Sequence, residues 1–323
     1  MSLFPRLQTA SRRVACPGHR CVFLGAFIGR SLLAAAAFAH SPTSIFDPAA
    51  TPAQSIFSVS MLVLAVTLGI FLTVAGLLLY ALIRYRHRPG DSNLDPAQVY
   101  GSDQIELSWT VIPILIVVML FLSTTRVILG TQAIPKPENA LNVTVIGHQF
   151  WWEYRYPKLG VVTANELHIP ASDPAHPTPT YLTLMSADAD HSFWVPRLAG
   201  KTDLIPNRVN EMWMDPQQAG LYLGQCAQYC GTQHAKMLLR VYVQSPADLA
   251  AWISQQRKPA QQDFEGNPAI EGQTVFLHNA CISCHRIAGT AATGRFGRDL
   301  THLASRDTIA SGAIQNTQEN LRK

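Results

Sequence analysis

Charged side chains are scarce in this chain: Asp, Glu, Lys and Arg together make up 14% of its 323 residues. Soluble globular domains average about 25%, so a wholly soluble enzyme fits poorly and a membrane-anchored protein with a soluble head fits well. The net charge is small, +4. No basic cluster is interleaved with aromatics, which leaves nucleic acid without a footprint. Internal repeats are absent, and residues 56–83 include no charged side chain. Cysteine is sparse too, six in all, and the grouping matters more than the number. Cys16 and Cys21 lie near the start, followed by the close pairs Cys226/Cys230 and Cys281/Cys284. Close pairs flanked by histidine are commoner as metal or haem sites than as disulfides, although a disulfide framework stays open in an oxidising compartment.

Residues 1–39 read as a secretory signal. Arg6, Arg12, Arg13 and Arg20 form a basic region, and an apolar stretch, interrupted by Arg30, runs to Phe38. Ala37-Phe38-Ala39 is a small-x-small cleavage site that would leave His40 first; an uncleaved extension is the alternative. A membrane hairpin is expected over residues 40–130. As helices, residues 56–83 and 105–125 would span ~42 Å and ~31 Å, each enough to cross a hydrocarbon core of about 30 Å. Pro113 predicts a kink in the second. The connecting loop carries Arg84, Arg86, His87 and Arg88, and positive charge marks the cytoplasmic side. Both termini are then expected on the periplasmic face of a bacterial inner membrane.

Residues 131–257 change character. Strand-like runs at 141–147, 161–169, 180–187, 208–214, 220–224 and 237–243 are separated by Gly, Pro, Asp and Asn, the pattern of a β-sandwich or small barrel. The size suits an all-β, cupredoxin-like Greek-key domain. Ser245 caps a short helix over 247–256, with Asp248 closing the box. Residues 258–271, rich in Pro, Gln and Gly, read as a linker. A second small domain, α-helical, occupies 272–323, with a helix starting near Gly272.

The chemistry concentrates in Cys226-Ala227-Gln228-Tyr229-Cys230-Gly231-Thr232-Gln233-His234-Ala235-Lys236-Met237, with His191 upstream. Thiolate, thioether and imidazole together favour copper. One cysteine suffices for a mononuclear blue-copper site; two on one loop can bridge a pair of coppers. A structural Cys2His2 zinc site is the alternative, and it leaves Met237 unexplained.

This run resembles the CuA loop of cytochrome c oxidase subunit II. The segments His191-Ser192-Phe193-Trp194, Lys201-Thr202-Asp203-Leu204-Ile205-Pro206-Asn207-Arg208, Gly147-His148-Gln149-Phe150-Trp151-Trp152 and Trp109-Thr110-Val111-Ile112-Pro113 extend the resemblance over roughly residues 45–245. It implies a dinuclear copper centre bridged by Cys226 and Cys230, with His191, His234 and Met237 as terminal ligands and the backbone carbonyl of Gln228 as the last. It implies a subunit of a proton-translocating oxidase that accepts electrons from cytochrome c. They would pass to haem in subunit I, where oxygen is reduced, with other oxidase subunits as further partners. Many members of the family have glutamate where Gln228 stands, and that side chain helps bind an interface magnesium; glutamine is a poorer ligand for a hard cation, so magnesium stays open. Phe150 and Trp151 occupy the family's electron-accepting aromatic region, or they pack the sandwich. Glu106 matches a glutamate at the mouth of a proton pathway, or it is a solvated carboxylate at a helix end.

Cys281-Ile282-Ser283-Cys284-His285 is the attachment motif of c-type haem, two thiols for the vinyl groups and a histidine for the iron. Its surroundings resemble the cytochrome c domain fused to subunit II in caa-type oxidases. The family's Gly-Pro-x-Leu turn is here Gly297-Arg298-Asp299-Leu300, and no methionine follows His285, so a partial cytochrome c domain is expected. By residue type alone His302 is a candidate for the sixth iron position. Two other functions stay open: a CuA module of another terminal reductase, such as a nitrous oxide reductase relative, and a metal-free structural subunit, as in quinol oxidases.

Overall fold

The computed structural model describes residues 41–87, 98, 100–132, 136, 140–261 and 266–322. The signal expected over residues 1–39, and Arg88 of the basic loop, lie outside them.

Two long helices come first, α1 (Thr51–Arg84) and α2 (Asp103–Gln132). Both are apolar and unburied across their central windows; Phe71 and Leu77 expose 64% and 65% of their surface. Surfaces of this kind need lipid or partner helices to cover them. Hydroxyls within the helices turn back onto their own backbone, as Ser58 Oγ does to the Gln54 carbonyl and Thr73 Oγ1 to that of Gly69, each at 2.9 Å. That satisfies them without water. Pro113 lies inside α2, which stays helical on both sides of it.

Each helix runs further than its apolar run alone predicts, and the head explains why. The Thr51 amide and hydroxyl donate to the two oxygens of Asp215 at 2.8 and 2.6 Å. A carboxylate thus caps the positive end of α1. Ala49 N–H donates to the Arg197 carbonyl at 2.7 Å. At the far end of α2, Trp213 Nε1 donates to the Thr131 carbonyl at 2.7 Å.

The head is a sandwich of two five-stranded sheets. Its strands are β1 (Asn142–His148), β2 (Trp151–Tyr156), β3 (Val161–Ala164), β4 (Glu166–Pro170), β5 (Thr180–Ser186), β6 (His191–Trp194), β7 (Thr202–Leu204), β8 (Asn210–Met214), β9 (Gly220–Cys226) and β10 (Leu238–Gln244). One sheet is ordered β3-β2-β1-β5-β8 and the other β4-β10-β9-β6-β7. β1 pairs with β5, and β10 with β4, in parallel; the other pairs are antiparallel. Alternation of buried and half-buried positions along β10 shows one face turned inward. Between the sheets lie Trp152, Tyr154, Phe193, Leu167, Leu184 and Val241, all fully buried. The strand-like run 161–169 is two strands, not one. Asn165 breaks it at φ 64°, a conformation asparagine tolerates better than most residues. Its side-chain oxygen accepts from Trp152 N–H at 3.0 Å, and the chain passes there from one sheet to the other.

Ser245 caps α3 (Pro246–Gln256), accepting from Asp248 N–H at 3.1 Å. Trp252 of this helix stacks on His168 at 4.1 Å, and His168 stacks on Tyr242 at 4.8 Å. Burial in this stack lowers the His168 pKa to about 4, against a smaller opposing effect of its hydrogen bond to Gln244.

The last region holds α4 (Asn267–His278), α5 (Cys281–Cys284), a hairpin of β11 (Thr308–Ile309) and β12 (Ile314–Gln315), and α6 (Gln318–Leu321). α4 begins five residues before the expected Gly272, with Pro268 in its first turn. This region lies against the head. Thr308 N–H and its hydroxyl both donate to Glu166 Oε1, at 2.9 and 3.0 Å, and the Tyr242 hydroxyl donates to Asp307 at 2.6 Å.

Candidate functional site

The first site forms at one end of the sandwich, where β6 begins, β9 ends and β10 starts. Phe193 of β6 pairs with Cys226 of β9, which brings His191 beside that cysteine. The loop from Ala227 to Met237 is closed at both ends. Ala227 N–H donates to the Ser192 carbonyl at 2.9 Å, and Cys226 N–H to the Met237 carbonyl at 2.9 Å. A tight turn over His234–Lys236 points the chain back into β10. These local bonds gather donors that are far apart in sequence.

The donors meet around the two sulfurs. Cys226 Sγ lies 3.9 Å from Cys230 Sγ, 4.0 Å from His191 Nδ1 and 3.1 Å from the Gln228 carbonyl oxygen. Cys230 Sγ lies 3.7 Å from His234 Nδ1 and 3.8 Å from Met237 Sδ. The cysteines are free thiols. His191 and Met237 are fully buried, and Cys226 and Cys230 are 3% and 4% exposed. Donor atoms of His191, Cys226 and Cys230 all lie within 4.8 Å of one another, close enough to share a metal ion. This set of two thiols, two imidazoles and a thioether, buried except for the half-buried His234, is soft, and it fits copper.

Electrostatics divide the two thiols. Burial opposes ionisation of Cys226, but hydrogen bonds from His191 and from the main chain at Ser192 outweigh it and bring its pKa below the usual thiol range. Burial and the charge on Cys226 push Cys230 the other way. One thiolate is thus ready near neutral pH, and the second needs the positive charge of a metal to form.

Three further residues support the site, and the sequence motifs alone did not single them out. Asp188 Oδ1 accepts from His191 Nε2 at 2.9 Å; this fixes the tautomer and leaves Nδ1 facing the thiols. Gln149 Nε2 donates to the Cys230 carbonyl at 2.6 Å. Gly147 lets β1 pass close to the site, since a Cβ there would lie 2.7 Å from His191 Cδ2. Asp188 precedes His191 by three residues, and Gly147 and Gln149 lie in the segment 147–152 that extends the family resemblance, but no motif gave any of the three a role.

The aromatic run separates into three roles. Trp152 is in the core, fully buried. Phe150 packs on the loop, where a Cβ on Gly231 would lie 2.9 Å from its ring. Trp151 stacks on His148 at 4.2 Å and faces the haem-motif region across a cavity of about 230 Å³, lined also by Glu153, Arg155, Arg286 and Gly297. Glu106 lies far from these groups, exposed in the first turn of α2, a favourable place for a carboxylate.

In the second site Cys281 and Cys284 are free and exposed on α5. His285 Nδ1 donates to the Arg298 carbonyl at 2.9 Å, a tautomer in which the lone pair of Nε2 could ligate a metal. A main-chain carbonyl does this work, so the missing proline does not prevent it. Gly297 lies flat on the ring, where a Cβ would come within 2.7 Å of it. His302 is directed elsewhere: its Nε2 bonds the carbonyls of Gln256 and Lys258 at 3.1 and 3.0 Å. Its ring nitrogen is occupied by the end of α3, not aimed at His285.

Comparison with known proteins agrees with the layout. The family described as cytochrome C oxidase subunit II, periplasmic domain, matches residues 174–244, and the corresponding transmembrane domain matches 39–127. A cytochrome c family matches 269–322. The cytochrome c oxidase subunit 2 of Alkalihalophilus pseudofirmus is 33% identical over 85% of this chain and 79% of its own. That of Bacillus sp. strain PS3 is 31% identical over 74% of this chain and 69% of its own, and that of Bacillus subtilis 30% over 75% and 71%.

Proposed function

Because this chain belongs to the cytochrome c oxidase subunit II family and carries a cytochrome c region behind the head, we propose that it is the electron-accepting subunit of a caa-type haem–copper oxidase. It would hold a dinuclear CuA centre and a covalent haem c, accept electrons from cytochrome c, and deliver them to subunit I, where oxygen is reduced and protons are pumped. The observation that carries this reading is the convergence of four donors, His191, His234, Met237 and the Gln228 carbonyl, on a pair of cysteine sulfurs 3.9 Å apart.

In this reading Cys226, Cys230, His191, His234, Met237 and the Gln228 carbonyl would hold the coppers, the two histidines through Nδ1. A copper pair held there supplies a one-electron store, and a haem at Cys281, Cys284 and His285 supplies another. The protein's part is to hold both rigid. Asp188 keeps the His191 ring in place, and burial keeps water from the sulfurs. Trp151, between His148 and the haem-motif region, is the ring on which the head meets its donor. Glu106 would lie at the subunit I proton pathway, with α1 and α2 crossing a bacterial inner membrane and both termini in the periplasm. The domains would run 40–130 for the hairpin, 131–257 for the copper head and 272–323 for the haem region, after a cleaved signal over 1–39.

The test is metal and haem analysis of the purified full-length chain. Two coppers per chain, with a paramagnetic signal split by both nuclei, and a haem band that survives denaturing electrophoresis, are expected. One zinc per chain, or no metal, defeats the copper assignment. Trp151→Ala is expected to slow reduction of copper by cytochrome c at least about tenfold, as loss of a well-placed contact does, with the copper spectrum unchanged; an unchanged rate removes Trp151 from its role.

A further inference from the structure

Arg298 stands where the family's turn has proline, and nothing in the function above uses its side chain. In the structure it makes three contacts at once. Its carbonyl accepts from His285 Nδ1 at 2.9 Å. Its guanidinium lies over the Trp151 ring, 5.7 Å from the centroid. Its Nη2 donates to Ser311 Oγ at 3.1 Å, and that hydroxyl donates to the Phe150 carbonyl. Proline, which keeps a carbonyl but has no donor, supplies only the first.

Ser311 is the tip of the β11–β12 hairpin, buried, with Ala310 and Ser311 both at positive φ, 50° and 61°. Its carbonyl accepts from Leu238 N–H at 3.1 Å, and Leu238 directly follows Met237. Gly312 beside it accepts from Arg240 Nη2 at 3.3 Å. The Arg298 side chain therefore touches, directly or through one hydroxyl, the aromatic run on one side of the copper loop and the strand that leaves it on the other. Its Nε is buried without a hydrogen-bond partner. Burying a guanidinium so incompletely satisfied is unfavourable by itself, so its contacts must offset that cost.

We propose that Arg298 is a positioning residue that registers the proximal haem histidine against Trp151 and against the copper loop, holding the two cofactor-bearing regions as one body. The planar guanidinium suits this task because it stacks on an aromatic face while its fork donates in the plane. The inference rests on the presence of both centres, as proposed above.

The experiment uses the full-length protein in its purified oxidase, unsubstituted and as Arg298→Pro, Arg298→Gln and Arg298→Lys. Two readouts are taken: amide hydrogen exchange at Leu238 and Thr308, whose N–H groups bond across the contact, and the reduction potential of the haem. Arg298→Pro keeps the carbonyl for His285 and removes the guanidinium. Exchange at both amides is expected to rise about tenfold, the factor for one lost charge-assisted hydrogen bond. The haem potential is expected to fall, since a nearby positive charge favours the ferrous state. Arg298→Lys should restore the potential but not the protection, because lysine has the charge without the fork. If Arg298→Pro does not accumulate, Arg298→Gln carries the same two expectations. Unchanged protection and potential in the accumulating variant, with haem and copper both bound, overturn the proposal. Absence of copper or haem from the unsubstituted protein overturns the functional reading instead, and the exchange comparison then still decides whether Arg298 holds the contact.

Discussion

The loop that carries Cys226 and Cys230 and the turn that carries Cys281 and Cys284 are both cysteine pairs followed by a histidine, and the fold treats them in opposite ways. Cys226 and Cys230 are 3% and 4% exposed, sealed by β6, β9 and β10. Cys281 and Cys284 face outward from one short turn of helix, near Phe296, which is 85% exposed. The first pair is organised by a β-framework whose ladders would form whether or not metal were bound. The second sits on a short helical turn held by main-chain bonds from Gly294 and Gly297 to the carbonyls of Ile282 and Cys284 and by the Arg298 carbonyl on His285, with both sulfurs left exposed. A site whose donors are gathered beforehand loses little order when it changes charge, whereas a site on a thin scaffold takes much of its order from the group it binds.

The largest test of this contrast is to remove one sulfur from each pair. Cys230→Ser is expected to abolish the two-nucleus paramagnetic signal entirely while leaving the head folded and the haem band intact. Cys284→Ala is expected to weaken haem attachment and raise amide exchange across residues 272–322, with the copper signal unchanged. If exchange in the head rose as much as in the haem region, the two regions would not differ as described.

A second effect belongs to the head alone. An unfolded histidine takes up a proton below about pH 6.5, but folded His168 stays neutral down to about pH 4. The unfolded state therefore binds more protons in that window, and stability is lost as pH falls through it, on the order of 3 kcal/mol by pH 4. Denaturant midpoints taken from pH 7 to pH 4 should show this loss. His168→Phe should show less of it, and equal slopes for the two proteins would remove His168 as the cause.

The smallest effects come from two glycines. A Cβ on Gly224 in β9 would press on the Trp194 carbonyl oxygen and lie 2.8 Å from Leu239 Cδ1 and 2.9 Å from Val195 Cγ2. Gly224→Ala should cost the head about 2 kcal/mol by overpacking. Gly272 in α4 has nothing within 4 Å of such a Cβ, and Gly272→Ala should stabilise its helix by up to about 1 kcal/mol. A stabilised Gly224→Ala head, read by the same denaturant midpoints, would mean that β9 is not as tightly enclosed as the distances state.

Much of this was legible in the sequence, for physical reasons that differ by region. Uninterrupted apolar runs mark α1 and α2, because a membrane-length helix needs little beyond such a run; their ends were missed because Asp215 and Trp213, distant in sequence, extend them. The strand runs appeared as β-branched stretches between turn residues, yet 161–169 hid its break, since Asn165 reveals a left-handed bend only once Trp152 is beside it. Cys226, Cys230, His234 and Met237, which the structure gathers, stand in one short segment, and their grouping was legible there. Asp188, Gln149 and Gly147 were not, because their roles follow from which strands become neighbours. The seating of the haem region on Glu166 and Tyr242 depends on contacts more than sixty residues apart, and no spacing rule announces those.

Asp215 takes the beginning of α1 and Trp213 the final turn of α2, two residues apart on one edge strand and its exit. A load hung from one point swivels; hung from two, it keeps its bearing. Two such fastenings on neighbouring residues couple the tilt of the helix pair to that of the sandwich, and with it the orientation of residues 226–237 relative to α1 and α2.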